Sequence, residues 1–345
     1  MAMEVRVLPG VYTQVSGQGQ GRVYETERGI VAMGIDCPML DPHTMIRLGA
    51  DNYLAFCAKV GGINAVLVSE IFKNANKALI YVLNSATDVE VGLSDYAAFF
   101  AALETEDFNT IALNTEQPAI KTALVSFVRD LREKRGRYVT GVVSDLAADY
   151  VGILSLKNGV VLSDNVSLSA AQATAYIAGA TASVPLNESL TNRAYIGGAE
   201  PLERYDYEAL EQLVLSGHMV LVPSQAGGVS ILKDINTLTT FTSERPAFFS
   251  KNKIVRIVDK LANDICIKGV NSYIGKVQNN ENGRALFKAE ILSSFAVLER
   301  SGILQEVSPE DIVVSKGDEI DSIVVEYAIR PADVIEQIHN TILVS

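Results

Sequence analysis

The chain has 345 residues, of which 48% are hydrophobic and 20% charged, and its formal net charge at pH 7 is −12. This length permits two or more domains with separate cores, and the negative charge argues against a general nucleic-acid-binding protein. The sequence contains no run of 18 apolar residues and does not begin with the basic-then-apolar layout of a signal peptide. We therefore expect no membrane insertion and a protein that stays in the cytoplasm where it is made.

Residues 1–22 predict an extended arm that a soft linker joins to the body. The stretch VRVLPGVYTQV alternates apolar and polar residues and carries a Pro-Gly turn signal. SGQGQG, at residues 16–21, is polar and glycine-rich, as is typical of a flexible linker. A phosphate-binding loop would need a strand before it and a helix after it, and neither is predicted here.

Residues 90–223 alternate helices with short strands, which favours a layered α/β sheet. The stretch ILSLKNGVVLSD, at 153–164, predicts a hairpin with Asn158 and Gly159 at its turn. Other strands are predicted at 109–113, 138–143 and 219–224. Four helices are predicted from residues that cap or open helices, namely Ser94, Pro118, Ser169 and Asp206.

Residues 224–345 have a different character. A long amphipathic helix is predicted after Ser250, a second helix at 283–301, and a hairpin at 311–329 that turns near Lys316. IHNTILV, at 338–344, is followed by one Ser and predicts a strand with no partner after it. Because unpaired backbone groups of a strand are costly, this strand must pair either within its own domain or with another subunit.

The residue types that carry catalysis or bind metals are sparse and scattered. His43, His218 and His339 have no metal-ligand spacing, and no GxSxG elbow occurs. GVNSYIGKV, at 269–277, departs from the phosphate-loop spacing and has Val277 where a Ser or Thr is needed. The three cysteines are too few and too scattered for a disulfide framework or a metal site. The sequence therefore predicts no catalytic, cofactor-binding or metal site.

One segment departs from the acidic average of the chain. Residues 231–280 contain eight Lys or Arg residues and four Asp or Glu residues. Lys253, Arg256 and Lys260 recur at helical spacing and so share one face of the predicted long helix. Two interpretations stay open here, a solvated helix face and a docking surface for an acidic partner.

Several long motifs resemble a phage tail sheath protein, of the kind found in contractile-tailed phages and phage-like particles of Gram-positive bacteria. They are KDINTLTTFT at 233–242, KNKIVRIVDKLANDI at 251–265, YIGKVQNNENGRALFKAEI at 273–291 and VVEYAIRPADVIEQIHNTILV at 324–344. The resemblance covers nearly the whole chain. Such sheaths often carry a β-sandwich insertion, and here residues 80–103 pass straight through with no room for one.

The resemblance implies an α/β, multi-domain tail-sheath fold. We expect an N-terminal arm and linker at 1–22, a layered outer α/β domain at 23–223, an α+β inner polymerisation domain at 224–330 and a C-terminal arm at 331–345. Both arms would be exchanged with neighbouring subunits.

The resemblance also implies a non-enzymatic subunit that polymerises helically around a tail tube and contracts to drive the tube through a target cell envelope. Arm strands would add to the sheets of neighbours, with hinges at SGQGQG and at 329–333. The predicted arm-strand residues are Val11, Tyr12, Thr13, Val15, Ile338, Asn340, Ile342 and Val344. The predicted strand-accepting hairpin residues are Ile312, Val314, Ile323 and Val325.

The expected partners are other copies of the chain, the tail tube protein, and baseplate and tail terminator proteins, with no nucleic acid. Lys253, Arg256 and Lys260 would face an acidic tube surface. The protein would lie in the tail of a virion or phage-like particle assembled in the host cytoplasm. The alternatives are a cytosolic α/β enzyme with an unrecognised site and a non-contractile oligomeric scaffold.

Overall fold

A computed structural model describes residues 28–84 and 91–342. The predicted linker at 16–21, the predicted N-terminal arm residues and Val344 lie outside the described residues; those arm residues are Val11, Tyr12, Thr13 and Val15. No helix within the described ranges is long and apolar enough to cross a membrane.

The described residues contain eight α-helices and sixteen short strands. The helices are α1 Tyr53–Val60, α2 Gly62–Phe72, α3 Leu93–Leu103, α4 Pro118–Glu133, α5 Ala170–Ser183, α6 Tyr207–Leu215, α7 Asn252–Lys268 and α8 Glu281–Arg300. The strands are β1 Ile30–Ile35, β2 Met45–Gly49, β3 Lys77–Val82, β4 Thr110–Ala112, β5 Thr140–Ser144, β6 Ile153–Leu156, β7 Val160–Leu162, β8 Ser167–Leu168, β9 Gly198–Pro201, β10 His218–Met219, β11 Leu221–Pro223, β12 Val229–Ile231, β13 Leu304–Gln305, β14 Ile312–Lys316, β15 Ile323–Tyr327 and β16 Arg330–Pro331.

A seven-stranded sheet organises the first two thirds of the chain, in the order β10-β6-β5-β4-β1-β3-β2. All neighbouring pairs are parallel except β2 with β3. All six residues of β1 are buried, because helices cover both faces of the sheet. A strand buried on both faces is apolar throughout, which explains the run IVAMGI.

Helix α5 lies against the sheet on the same side as α2 and is almost completely buried. Ser169 Oγ caps it by accepting a hydrogen bond from Gln172 N at 3.3 Å, and Gln172 Oε1 accepts one from Ser169 N at 2.9 Å, which completes a capping box. A Cβ atom at Gly179 would come within 2.6 Å of the Ile71 carbonyl oxygen. The small side chains of α5 therefore allow the two helices to approach closely.

Most elements predicted for residues 90–223 are confirmed. Strands lie at 110–112 and 140–144, and helices begin at or near the four predicted start residues. The helix assigned to a Ser94 cap begins at Leu93 instead, and Asp95 accepts a hydrogen bond from Gly92 N at 2.8 Å.

The predicted hairpin at 153–164 is wrong. Strand β6 belongs to the seven-stranded sheet, whereas β7 pairs with β8 and β9 in a separate sheet. Asn158 lies between β6 and β7 in the chain and is buried. Its Nδ2 donates to Leu221 O and to Glu203 O, and its Oδ1 accepts a hydrogen bond from Leu221 N. Asn158 and Gly159 thus lie in the connection between two different sheets and do not form a two-residue hairpin turn.

The last third of the chain contains α7, α8 and two small two-stranded sheets, β13 with β16 and β14 with β15. The two helices, the hairpin and Leu186 share one apolar core. The predicted Ser250 cap is wrong, because Ser250 Oγ donates to Ala247 O within a 3₁₀ turn and α7 begins two residues later. The predicted long helix, second helix and hairpin are confirmed.

Two buried ion pairs hold α7 against the α/β unit. Asp259 accepts two hydrogen bonds from Arg132 of α4, at 2.6 and 2.7 Å, and Arg132 also donates to Val139 O. Arg256 Nη1 donates to Asp234 at 2.9 Å. All four side chains are at least nine-tenths buried. Burial alone would lower the pKa of Arg132, but the Asp259 carboxylate outweighs it and keeps the guanidinium charged.

Removing one partner of the Arg132–Asp259 pair should destabilise the fold strongly. Asp259→Ala leaves a buried guanidinium without its carboxylate, and we expect the free energy of unfolding to fall by about 3–5 kcal/mol. Urea unfolding followed by circular dichroism measures this change. The double variant Arg132→Met/Asp259→Leu should lose far less, because it buries no charge.

The matched control is the exposed pair Arg204–Glu200. Arg204→Gln should change the free energy of unfolding by about 1 kcal/mol or less. Equal losses in Asp259→Ala and Arg204→Gln would show that burial of the α7 pair contributes nothing special.

A second carboxylate holds the threonine-rich loop that precedes α7. Asp149 Oδ1 accepts from the backbone N–H groups of Thr239 and Thr240 at 2.8 Å each. Hydrogen bonds from the Thr240 hydroxyl and from both N–H groups lower the pKa of Asp149 to about 2. A depressed carboxyl pKa stabilises the fold above the ordinary value near 4, and this contribution is lost as the pH falls toward 2.

Asp149→Asn should therefore lower the unfolding temperature at pH 6 but not at pH 2. Because Asp149 is exposed, the expected loss at pH 6 is about 1 kcal/mol or less. Thermal unfolding of both proteins across pH 2–7 checks this, and a difference that does not depend on pH would contradict it.

Candidate assembly site

The C-terminal segment leaves the body of the protein after β16. Arg330 and Pro331 pair with β13, and Ala332 N donates to Ile303 O at 2.9 Å. Residues 333–342 then form no helix or strand. Three large apolar side chains in this segment are 79–85% exposed, namely Ile335, Ile338 and Ile342. Large apolar side chains as exposed as these are typical of a binding surface.

The predicted arm-strand residues Ile338, Asn340 and Ile342 thus lie in an exposed segment without a strand partner among the described residues. Among the described residues, no strand of the same subunit pairs with residues 333–342.

Four polar contacts fix the root of this segment, residues 332–336. Lys253 Nζ donates to Ala332 O at 2.6 Å, and Lys251 Nζ forms ion pairs with Asp333 and with Glu336, the latter at 3.1 Å. Thr191 Oγ1 donates to Glu336 Oε1 at 3.0 Å. Partial burial would lower the pKa of Lys251, but the two carboxylates outweigh it and raise that pKa.

The segment 329–333, predicted as a hinge, is therefore held in place. Its backbone is paired at Arg330, Pro331 and Ala332, and Asp333 is ion-paired. The part of the arm without such contacts begins after Glu336. Pro331 restricts the backbone φ angle, as expected, but it lies in β16, which pairs with β13.

The root is connected to the buried ion pairs of α7. Thr191 Oγ1, which binds Glu336, also accepts from Asp234 N at 3.0 Å. The Asp234 carboxylate is fully buried and accepts from Leu190 N, Asn252 Nδ2 and Arg256 Nη1, each at 2.9 Å. The direction of the arm is thus set by the same network that positions α7.

The predicted docking face of Lys253, Arg256 and Lys260 is wrong for the first two residues. Lys253 is 2% exposed and Arg256 is 6% exposed, because this side of α7 packs on the α/β unit and on the arm root. Lys260 is partly buried and forms an ion pair with Asp264. Helical spacing correctly placed these residues on a shared face, but that face points inward.

The hairpin predicted to accept a strand is formed by β14 and β15. Val314 lies opposite Val325, and Ile323 lies opposite Lys316. Ile312 is fully buried in the apolar core under α8, whereas the other three predicted residues are half-buried. This sheet has no third strand among the described residues.

A chain of Ser, His and Asp side chains lies at the carboxyl end of β5 and gives no catalytic pair. His218 Nδ1 is 3.2 Å from Ser216 Oγ, and His218 Nε2 is 3.3 Å from Asp145 Oδ1. Ser216 Oγ also bonds to the Gln212 and Leu213 carbonyl oxygens, so its proton is directed at them and not at the imidazole. Burial lowers the pKa of His218. These contacts close the end of α6.

Loss of the Lys251 contacts should loosen the arm root without unfolding the domain. We expect Lys251→Met to speed amide exchange at residues 332–336 roughly fivefold, which corresponds to about 1 kcal/mol for two partly exposed ion pairs. Hydrogen exchange with mass spectrometry measures this. Lys59→Met, on the exposed side of α1, is the control that should change nothing. Unchanged exchange at the root in Lys251→Met would show that the ion pairs do not hold it.

Comparison with known proteins gives a consistent result. A family model described as the phage tail sheath protein central domain matches residues 90–237, and one described as the phage tail sheath C-terminal domain matches residues 244–345. Phage-like element PBSX protein XkdK of Bacillus subtilis is 34% identical over 272 residues, which cover 76% of this chain and 58% of that protein. The tail sheath protein of Clostridium phage phiCD119 is 27% identical over 217 residues, covering 63% and 60%. The chain thus matches about three fifths of the length of these relatives.

Solved structures share the fold. The sheath tail protein of Desulfitobacterium hafniense superimposes with a TM-score of 0.82 at 26% identity, covering 95% of this chain and 98% of that one. The helical sheath of the anti-feeding prophage in its contracted state gives a TM-score of 0.73 at 14% identity, covering 98% and 99%. The second likeness is one of fold alone.

Proposed function

This chain belongs to the phage tail sheath family, and we propose that it is a structural, non-enzymatic subunit of a contractile tail sheath. The observation that carries the proposal is the C-terminal arm, which carries three exposed isoleucines and whose root is fixed to the protein body. The arm has no partner strand within the described residues, and the β14–β15 hairpin has no third strand there.

If the arm of one subunit paired as a strand with the β14–β15 hairpin of the next, the arm would gain a partner strand and the hairpin a third strand. Such β-augmentation derives affinity from backbone hydrogen bonds and specificity from the alternating side chains. Ile338, Asn340 and Ile342 would point to one side of the added strand, since side chains alternate along a strand. The contact joins two different surfaces, so it propagates into a helical polymer and does not close into a dimer.

In the proposed mechanism, subunits polymerise around a tail tube and later rotate as rigid bodies while the arms stay paired. The energy for contraction is the difference in subunit contacts between the extended and contracted states. The hydrogen-bonded root supports this mechanism, because it transmits movement of the body to the arm. The partners would be other copies of this chain, the tail tube, and baseplate and terminator proteins, within a virion tail or phage-like particle assembled in the host cytoplasm.

Removal of the arm beyond its root should abolish polymerisation. We expect the full chain to form tubes or ring stacks in negative-stain electron microscopy, alone or on a tail tube template, and a chain truncated after Gln337 to stay monomeric. This truncation keeps β16 and the Lys251 contacts, which truncation after Arg330 would destroy. Tubes from the truncated chain would rule out arm exchange, and closed rings from the full chain would indicate a non-contractile scaffold.

A backbone variant separates strand pairing from side-chain packing. Asn340→Pro/Thr341→Pro removes two neighbouring N–H donors, one of which must face the acceptor strand whichever way the arm is turned. Asn340→Ala/Thr341→Ala is the matched control that keeps both donors. We expect tubes only from the alanine variant; assembly of both variants to the same extent would contradict backbone pairing at this position.

A further inference from the structure

The β14–β15 hairpin has a fixed pattern of backbone hydrogen bonds across its two strands. Ala328 N donates to Asp311 O at 2.8 Å, just before β14, and Gly317 N donates to Ser322 O at 3.0 Å, just after it. Pairs that exchange backbone bonds alternate along an antiparallel ladder with pairs that do not. In this register, the odd-numbered residues of β14 therefore bond to the even-numbered residues of β15.

The other residues of the hairpin turn their backbone N–H and C=O groups toward the two free edges. They are Ile312, Val314, Lys316, Ile323, Val325 and Tyr327. Ile312 N donates to Pro309 O, outside the ladder. The backbone groups of Val314 and Val325 have no other backbone partner within the part of the chain that the structure describes. A further strand on either edge would bond to these groups.

The side chains of these edge-facing residues lie on the core side of the hairpin. Ile312 and Tyr327 are buried in the apolar core under α8, and Val314 and Val325 pack against it. Val313, on the opposite side of the hairpin, is exposed. Each free edge thus combines open backbone groups with side chains that face the core of the subunit.

The arm has an apolar side and a polar side when it is extended. Ile338, Asn340 and Ile342 alternate with His339 and Thr341, and side chains alternate between the two faces of a strand. Placing the two isoleucines on the core side of an acceptor hairpin would remove the most apolar surface from water. His339 and Thr341 would then lie on the solvent side.

The direction of the arm strand decides which of its residues form the backbone bonds. In an antiparallel pair, two residues that exchange bonds lie directly opposite each other, with side chains on the same face. In a parallel pair, the bonds slant, and a bonded residue lies opposite one whose own N–H and C=O groups point away. With the isoleucines on the core side, an antiparallel arm bonds through Ile338, Asn340 and Ile342. A parallel arm bonds through His339 and Thr341 instead.

We propose that the arm of one copy pairs antiparallel with a free edge of the β14–β15 hairpin of another copy, through the backbone groups of Ile338, Asn340 and Ile342. Antiparallel ladders are slightly more stable per residue than parallel ones. They also suit a sheet with one face on the core and one face in solvent, as this hairpin has. The inference rests on the proposed exchange of arms and adds the direction of the strand and the positions of its bonded groups.

Single proline variants of the full chain test this direction. Asn340→Pro removes an N–H that bonds in the antiparallel arrangement, whereas Thr341→Pro removes one that faces away from the acceptor. Asn340→Ala and Thr341→Ala are the matched controls that keep both N–H groups. We expect tubes or ring stacks in negative-stain electron microscopy, alone or on a tail tube template, from Thr341→Pro and both alanine variants. Asn340→Pro should give at least tenfold fewer.

The other outcomes separate this inference from the proposed function. Tubes from Asn340→Pro and none from Thr341→Pro would show a parallel strand, which overturns the inference and leaves arm exchange intact. Loss of tubes in both proline variants would also overturn it, because both sides of the arm would then be bonded. Equal assembly of all four variants would contradict backbone pairing of the arm, on which the proposed function also rests.

Discussion

The structure depends on the buried charges of one helix, α7. Asp259 is ion-paired with Arg132, and Arg256 with Asp234. All four side chains are at most 9% exposed. Each charge is costly to bury unless its partner is in place with good geometry. An apolar helix face tolerates small shifts, whereas a bidentate ion pair does not. The ion pairs therefore restrict α7 to one position on the α/β unit.

The other features of the C-terminal third follow from that position. The opposite, apolar side of α7 contacts α8 and the β14–β15 hairpin through Leu261 and Ile265. Lys251 and Lys253, at the start of the helix, hold the arm root. A machine that converts rotation of subunits into shortening needs bodies that do not deform internally. The α7 network fixes the arm root relative to the β14–β15 hairpin within one subunit, as the proposed contractile role requires.

The sequence predicted the elements whose signals are local. Ser169 and Asp206 cap α5 and α6 as expected, because a cap depends on residues three positions away. Asn158 misled the prediction, since its amide bonds to residues 45 and 63 positions further along the chain. No strand is predicted at β1 or β3, because an apolar run without alternation does not by itself distinguish a buried strand from a buried helix.

The candidate site was also predicted only in part, because some of its features have local sequence signals and others depend on contacts between distant residues. The hairpin is visible in the sequence, whereas the predicted terminal strand is an exposed segment without regular structure over residues 338–342. The inward orientation of Lys253 and Arg256 is not visible in the sequence, because a buried ion-paired face and a solvated basic face have the same residues at the same spacing. Their partners are an acidic residue 22 positions away and a backbone carbonyl 79 positions away.

The energetics of the arm explain why assembly would be cooperative. Holding the ten residues 333–342 in one strand conformation costs about 10–20 kcal/mol of backbone entropy. Full burial of three isoleucines returns about 5–9 kcal/mol, and about ten backbone hydrogen bonds return roughly 5–15 kcal/mol. A single exchanged arm is therefore close to balance, and its fixed root lowers the cost by ordering residues in advance. A polymer in which each subunit donates and accepts arms multiplies a small net gain, so it is stable as an array although one contact alone is weak.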